Sequence, residues 1–236
     1  MARSEVAVLI PAAGQGVRMG GERKQFRLLG GKPLLLQTLL VFERHPDVAH
    51  LIVAVPPDVR DEVASELFRC GLTKLHKVVA GGTTRQDSVA RALDAVPESA
   101  DVVLVHDAVR PFIDDATISA TIQAVEEHGA AAVAIPVSDT MRYGEGGVFG
   151  ASVSRDGLFA MQTPQGFRRA LFESAHAEAA KSGFQATDDV DLVQRAGYPV
   201  RIVPGSIFNL KITTPADWEL ADRLWAHRTV NPEVEK

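Results

Sequence analysis

A three-layer α/β/α fold with a protruding β-hairpin arm is what the sequence predicts. Three observations carry it: short apolar runs recur along the chain, helix-length stretches separate them, and one glycine-rich segment follows neither pattern. The first run, Val6-Ala7-Val8-Leu9-Ile10, is continuously apolar, which marks a parallel strand buried on both faces. Runs of the same kind stand at 51–55, 77–79, 102–105, 131–137 and 200–203. Helices fit 33–44, 58–70, 85–95, 114–127, 168–181, 188–195 and 215–226. Asp114-Asp115 supplies a capping side chain to one of them, and Thr214-Pro215 places proline in the first turn of another. Such alternation means βαβ units with right-handed crossovers.

Residues 138–156 break the rhythm. Gly144, Gly146, Gly147 and Gly150 fall there without a helical period, and short alternating stretches flank the glycines. A β-hairpin arm with glycines at its tip is one reading, and a mobile surface loop is the other. The chain is expected to form a single domain over 1–230, with a frayed tail at 231–236.

Composition narrows the function classes. With 236 residues, 46% hydrophobic and 23% charged, collagen-like, disordered and disulfide-scaffold readings drop out. Cys70 is the single cysteine, so no intrachain disulfide forms and a cysteine-built zinc site is excluded; a cytoplasmic setting is expected. No apolar run approaches the roughly 18–20 residues that span a bilayer, so no membrane partner is expected. The opening residues lead straight into the first strand without a cleavage pattern, so no leader is expected. Lys and Arg number 25 against 30 Asp and Glu, and the charges are scattered, which argues against a nucleic-acid groove. An anionic ligand must then be held by a few placed cations.

The most informative stretch follows the first strand: Pro11-Ala12-Ala13-Gly14-Gln15-Gly16-Val17-Arg18-Met19-Gly20. Glycines there let backbone N–H groups approach a phosphate closely. The spacing of Gly14, Gly16 and Gly20 is one residue too long for a dinucleotide fingerprint, and Glu22 after Gly21 rules out a Walker A loop. What remains is a glycine loop with its own cations, Arg18 within it and Lys24 just beyond.

At these residues the chain resembles the nucleotidyltransferase superfamily with an Ala-Ala-Gly-x-Gly-x-Arg-Met signature, and within it the 2-C-methyl-D-erythritol 4-phosphate cytidylyltransferases. Further stretches similar to that family follow in order. They are Lys24-Gln25-Phe26, the run from Gly81-Gly82 through Arg85, Asp87 and Ser88 to Val89, His106-Asp107 through Arg110-Pro111, and Pro136 through Asp139-Thr140. Thr163-Pro164-Gln165, Thr187-Asp188-Asp189 and Asn209-Leu210-Lys211-Ile212-Thr213 complete the series.

The resemblance implies a Rossmann-like nucleotidyltransferase (GT-A-like) fold. It also implies transfer of a cytidylyl group from CTP to a polyol phosphate, a step of isoprenoid precursor biosynthesis, with Mg²⁺ or another divalent cation on Asp107. Arg18, Lys24, Arg155 and Lys211 would be catalytic. Pro11, Ala12, Ala13, Gly14, Gly16, Gly81, Gly82 and Ser88 would join Arg18, Lys24 and Asp107 in holding CTP. Asp107, Arg110, Asp139, Thr140, Arg155, Thr187 and Lys211 would face the polyol phosphate. In this family the arm at 138–156 exchanges between subunits, which implies a homodimer and brings Arg155 to a shared site.

The chemistry is consistent with the residues. A phosphate monoester is already largely a dianion near neutral pH, since its second pKa is about 6. No protein base is required, and the sequence holds no convincing Ser/His/Asp or Cys/His set. His106 is read as structural. Departures from the family pattern stand at Arg23, Thr84 and Val190-Asp191. Ribitol 5-phosphate as acceptor, or a non-catalytic nucleotide-binding regulator, are the alternative readings.

Overall fold

In the computed structural model, which describes residues 5–14 and 23–230, the first apolar run becomes β1 (Glu5–Pro11). Gly16, Arg18 and the tail at 231–236 lie outside the described residues. The short strands β2 (Leu28–Leu29) and β3 (Lys32–Pro33) follow, then α1 (Leu34–Arg44), β4 (Val48–Val55), α2 (Arg60–Arg69), β5 (Leu75–Ala80), α3 (Arg85–Leu93) and β6 (Ala100–Val105). The second half comprises α4 (Asp115–His128), β7 (Ala130–Pro136), β8 (Met141–Glu145), β9 (Val148–Val153), β10 (Phe159–Arg168), α5 (Arg169–Ser182), α6 (Asp189–Arg195), β11 (Arg201–Pro204) and α7 (Pro215–Val230).

The main sheet runs β11-β7-β10-β6-β1-β4-β5. Side chains alternate across β1, and both sides are buried. Val6, Val8 and Ile10 pack with Leu39, Phe42, Leu67 and Ile118 from α1, α2 and α4. Ala7 and Leu9 pack with Val89, Phe172 and Leu192 from α3, α5 and α6. Double-sided burial is why the run reads as continuously apolar. A third cluster seats Trp218 and Ala221 of α7 against Val109, Phe112 and Ile212. It fixes the segment carrying Lys211 beside the exit of β6.

The sequence expects buried parallel strands, and β10 departs from that expectation. It lies antiparallel between β6 and β7, inside the sheet. Gln162, Pro164, Gln165 and Gly166 hide it, because polar residues and proline read against a central strand. Proline is tolerated because the β10–β7 register shifts between Met161 and Gln165, so Pro164 owes no ladder hydrogen bond to β7. Gly166 is required by close packing: a Cβ there would lie 2.7 Å from both Leu104 Cδ2 and Val125 Cγ2.

Residues 138–156 contain a hairpin. β8 and β9 pair antiparallel as a sheet of their own, with Glu145 opposite Val148. Gly146 (φ 59°) and Gly147 (φ 81°) form the two-residue connection, and positive φ at both central positions suits a type I′ turn. Residues 141–150 are all exposed, including Tyr143, Val148 and Phe149. Among the described residues no helix is long and apolar enough to cross a membrane.

The strand order reverses at β1, with β4 and β5 on one side and β6 on the other. Crevices at such switch points, outside the carboxyl ends of the strands, are where open α/β sheets bind ligands. Gly166→Ala should lower folding stability by about 1–3 kcal/mol through overpacking. The urea midpoint checks this, and a midpoint equal to wild type would contradict it.

Candidate active site

A cleft of about 300 Å³ opens at that switch point, lined among others by Ala12, Gly14, Lys24, Arg85, Asp107 and Lys211. Its first wall is the loop leaving β1. Ala12 N–H still donates to Ala54 O (2.7 Å), so the strand direction persists one residue beyond β1. Buried Gln25 then donates through Nε2 to Ala12 O (2.8 Å) and Gly14 O (3.0 Å). Next to it, Lys24 Nζ donates to Ile212 O (2.9 Å), tying this wall to the segment before α7.

The second wall is the turn from β5 into α3. A Cβ on Gly81 would stand 2.3 Å from Ala13 Cβ, so glycine lets the two loops touch. Gly82 N–H donates to Ser88 Oγ (3.0 Å), and Ser88 Oγ donates to Thr84 O (2.9 Å). Thr84 caps α3 in a reciprocal capping box with Asp87. This gives the Thr84 departure a local purpose.

Asp107 forms the floor at the exit of β6. Its Oδ2 accepts from Lys211 Nζ (2.9 Å) and Arg110 Nε (3.2 Å), while Arg85 Nε stands 3.7 Å from Oδ1. Burial pushes the carboxyl pKa up, but Lys211, Arg85 and Arg110 outweigh it and hold it well below the usual carboxylate range. Asp107 is therefore held as the anion. Its backbone N–H donates to Thr163 Oγ1 (3.1 Å).

His106 sits beneath. Its Nε2 is 3.0 Å from Arg110 O, and its Nδ1 is 3.1 Å from Thr163 Oγ1. Because the carbonyl only accepts, Nε2 carries the proton and Nδ1 accepts from the threonine hydroxyl. Burial lowers the imidazole pKa to about 4, so the ring is neutral, and a structural His106 fits its contacts.

Arg110 is buried, with Nη1 donating to Asn209 O (2.6 Å). Burial lowers its pKa, and Asp107 opposes that effect. Arg85 reaches the other way, donating through Nη1 to Asp189 Oδ2 (2.7 Å). Burial raises the Asp189 pKa, and the Arg85 charge opposes the rise. Gln165 Oε1 accepts from the Asp189 and Val190 N–H groups (3.1 and 3.2 Å).

The structure thus gathers Pro11, Ala12, Ala13, Gly14, Lys24, Gly82, Ser88, Asp107 and Lys211 around one cleft. Gly81 lies beneath its second wall, and Arg110 braces its floor without lining it. Asp139, Thr140, Arg155 and Thr187 are exposed and do not line it. Arg155 donates through Nη1 to Ser138 O at the base of the hairpin. Thr187 N–H donates to Asp191 Oδ2 (3.0 Å), so the Asp191 departure holds the threonine in place. Arg23, another departure, donates through Nη2 to both oxygens of Asp58 (3.0 and 2.7 Å). Arg85, Asp189 and Gln165 escaped the site prediction, although all three lie inside quoted motifs.

The sequence profile described as "IspD: 2-C-methyl-D-erythritol 4-phosphate cytidylyltransferase" matches residues 6–226. The 2-C-methyl-D-erythritol 4-phosphate cytidylyltransferase of Salinibacter ruber is 54% identical over 220 residues, covering 93% of this chain and 92% of its own length. That of Acidobacterium capsulatum is 46% identical over 227 residues, covering 92% and 95%. The crystal structure of the Thermus thermophilus enzyme aligns with a TM-score of 0.79 at 41% identity, covering 92% of this chain and 96% of that one.

His106 and His176 set an acid limit. Burial lowers His176, stacked edge-on against Phe172, to about 4 as well. An unfolded histidine takes its proton near pH 6.5, so below that pH the unfolded state binds more protons and stability falls as pH drops towards about 4. Each histidine should remove about 2 kcal/mol between pH 8 and pH 5. Urea unfolding at the two pH values tests this, with His176→Phe expected to shrink the loss by about 2 kcal/mol. An undiminished loss would contradict it.

Proposed function

The chain belongs to the 2-C-methyl-D-erythritol 4-phosphate cytidylyltransferase (IspD) family, and from that premise we infer its reaction and the parts its residues play. It is a nucleotidyltransferase of isoprenoid precursor biosynthesis. It transfers the cytidylyl group of CTP to 2-C-methyl-D-erythritol 4-phosphate, giving 4-diphosphocytidyl-2-C-methyl-D-erythritol and pyrophosphate. A phosphate oxygen of the acceptor forms a bond to the α-phosphorus of CTP, and the bond from that phosphorus to the bridging oxygen of pyrophosphate breaks. Family membership favours this acceptor over ribitol 5-phosphate and sets aside a silent regulator.

The observation that supports the residue roles is the cluster of Arg85, Arg110 and Lys211 around one buried carboxylate at a sheet switch point, with Lys24 lining the same cleft. Two anions must be brought into line and the charge on the leaving group stabilised, which is positioning plus electrostatics. Lys24, with Arg18 from the glycine loop, neutralises the triphosphate. Lys211 receives the acceptor phosphate. Gly82, Ser88 and the backbone of Ala12–Gly14, with Gly16 and Gly81, hold the cytidine part. Arg110, Asp139, Thr140 and Thr187 serve the polyol side.

A divalent cation fits the donor set. Among the described residues no group of three or more His, Cys, Asp or Glu is arranged to hold a metal ion. Asp107 is ionised, lines the cleft, and its Oδ1 accepts no hydrogen bond among the described residues. One carboxylate with substrate phosphates and waters is the usual Mg²⁺ arrangement. When bound, the ion would neutralise phosphate charge in the transition state.

The hairpin supports a homodimer as the subunit arrangement. Tyr143, Val148 and Phe149 are 69%, 71% and 83% exposed on an isolated two-stranded sheet, which suits burial against a second copy. Arg155 at its base then acts in the partner's cleft, in a cytoplasmic homodimer.

Lys24→Ala and Arg18→Ala should each cut kcat/KM by about 10²–10³, or about 3–4 kcal/mol. Metal-dependent pyrophosphate release with CTP and 2-C-methyl-D-erythritol 4-phosphate measures it, and near-wild-type rates would refute these roles. For the shared site, subunits of Arg155→Ala and Lys211→Ala are dissociated and mixed. Rates above the sum of the two variants are expected, and strictly additive rates would contradict exchange of Arg155.

A further inference from the structure

Asp107 holds its two oxygens differently. Oδ2 is shared by Lys211 Nζ at 2.9 Å and Arg110 Nε at 3.2 Å. Among the described residues Oδ1 has its ion-pair partner in Arg85, whose Nε stops at 3.7 Å, beyond hydrogen-bonding reach. An arginine this close to a buried carboxylate ordinarily closes onto it in a fork, with N···O distances near 2.8 Å. Arg85 does not, because its Nη1 is spent on Asp189 Oδ2 at 2.7 Å.

Asp189 is well placed to hold the guanidinium back. Its side chain is 3% exposed against 33% for Arg85. Its backbone N–H is fixed by Gln165 Oε1 at 3.1 Å, and Asp188 caps the same helix end through Asp191 N–H at 2.9 Å. Gln165 belongs to β10, which pairs with β6, the strand that delivers Asp107. The separation of the two carboxylates is therefore set by neighbouring strands and a capped helix.

We propose that Asp189 is a positioning residue which, by drawing Arg85 away from Asp107, keeps Oδ1 available to the divalent cation that accompanies CTP. Without the Asp189 charge, Arg85 closes onto Oδ1 and competes with the cation for the same lone pairs. The inference rests on the metal role proposed above for Asp107. It gives the Thr187-Asp188-Asp189 motif a purpose on the nucleotide side of the cleft, apart from any contact of Thr187 with the polyol.

Calorimetric titration of the full chain with CTP, once in Mg²⁺ and once in EDTA, reads the metal directly as the ratio of the two Kd values and needs no turnover. Wild type should bind CTP more tightly in Mg²⁺, and Asp107→Asn should lose that gain. Asp189→Asn should reduce the gain by about 10-fold or more, the size expected for a partner behind a metal ligand. Arg85→Met/Asp189→Asn should restore it to within about twofold of wild type, because the competitor is gone. Arg85→Met alone should also keep the gain, and a lost gain there would overturn the proposal, because Arg85 would then be aiding the cation and not competing with it.

An Asp189→Asn gain equal to wild type, or a double variant as poor as Asp189→Asn, would overturn the proposal while leaving the Asp107 role intact. An undiminished gain in Asp107→Asn would instead remove the metal reading on which it stands.

Discussion

The Asp107 carboxylate is the constraint on which the rest of the site depends. It is only 7% exposed, and an uncompensated charge at such a depth would be expelled or protonated. Lys211, Arg110 and Arg85 surround it instead, and each is held by something else. Arg110 is anchored on Asn209 O, Arg85 on Asp189, and the Lys211 segment on the α7 cluster through Ile212. Elements distant in sequence are thereby committed to one place. A buried pair of this kind adds little net stability, yet breaking it is costly, so it fixes geometry more than it strengthens the fold.

The same arrangement reconciles an acidic protein with anionic substrates. Net charge is −5, but Lys24, Arg85 and Lys211 line one cleft with Asp107. A few placed cations can serve an anionic ligand whatever the net charge, because the field in a cleft is set by the groups that line it. His106, held neutral by burial and by its contacts with Arg110 O and Thr163, adds no further charge beneath the site.

Much of this was legible in the sequence, for identifiable reasons. Strands buried on both faces announce themselves as continuous apolar runs, and capped helices announce their first turns, as Asp114 does by accepting from Thr117 N–H at 2.7 Å. β10 was illegible because Pro164 and two glutamines contradict a central strand, and only the register shift beside β7 makes room for them. Loop positions such as Gly82 and Asp107 could be nominated from motif order. The Arg85–Asp189 pair could not, because residues 104 apart in the chain meet only after β10 has been inserted next to β6. The departures at Arg23, Thr84 and Asp191 were likewise opaque until Asp58, Asp87 and Thr187 stood beside them.

The central claim is that one buried carboxylate organises the cations of the cleft, and Asp107→Asn tests it most directly. Urea unfolding at neutral pH should show a loss of about 3–5 kcal/mol, because the buried Arg110 is left without its counter-charge. A midpoint equal to wild type would contradict the account.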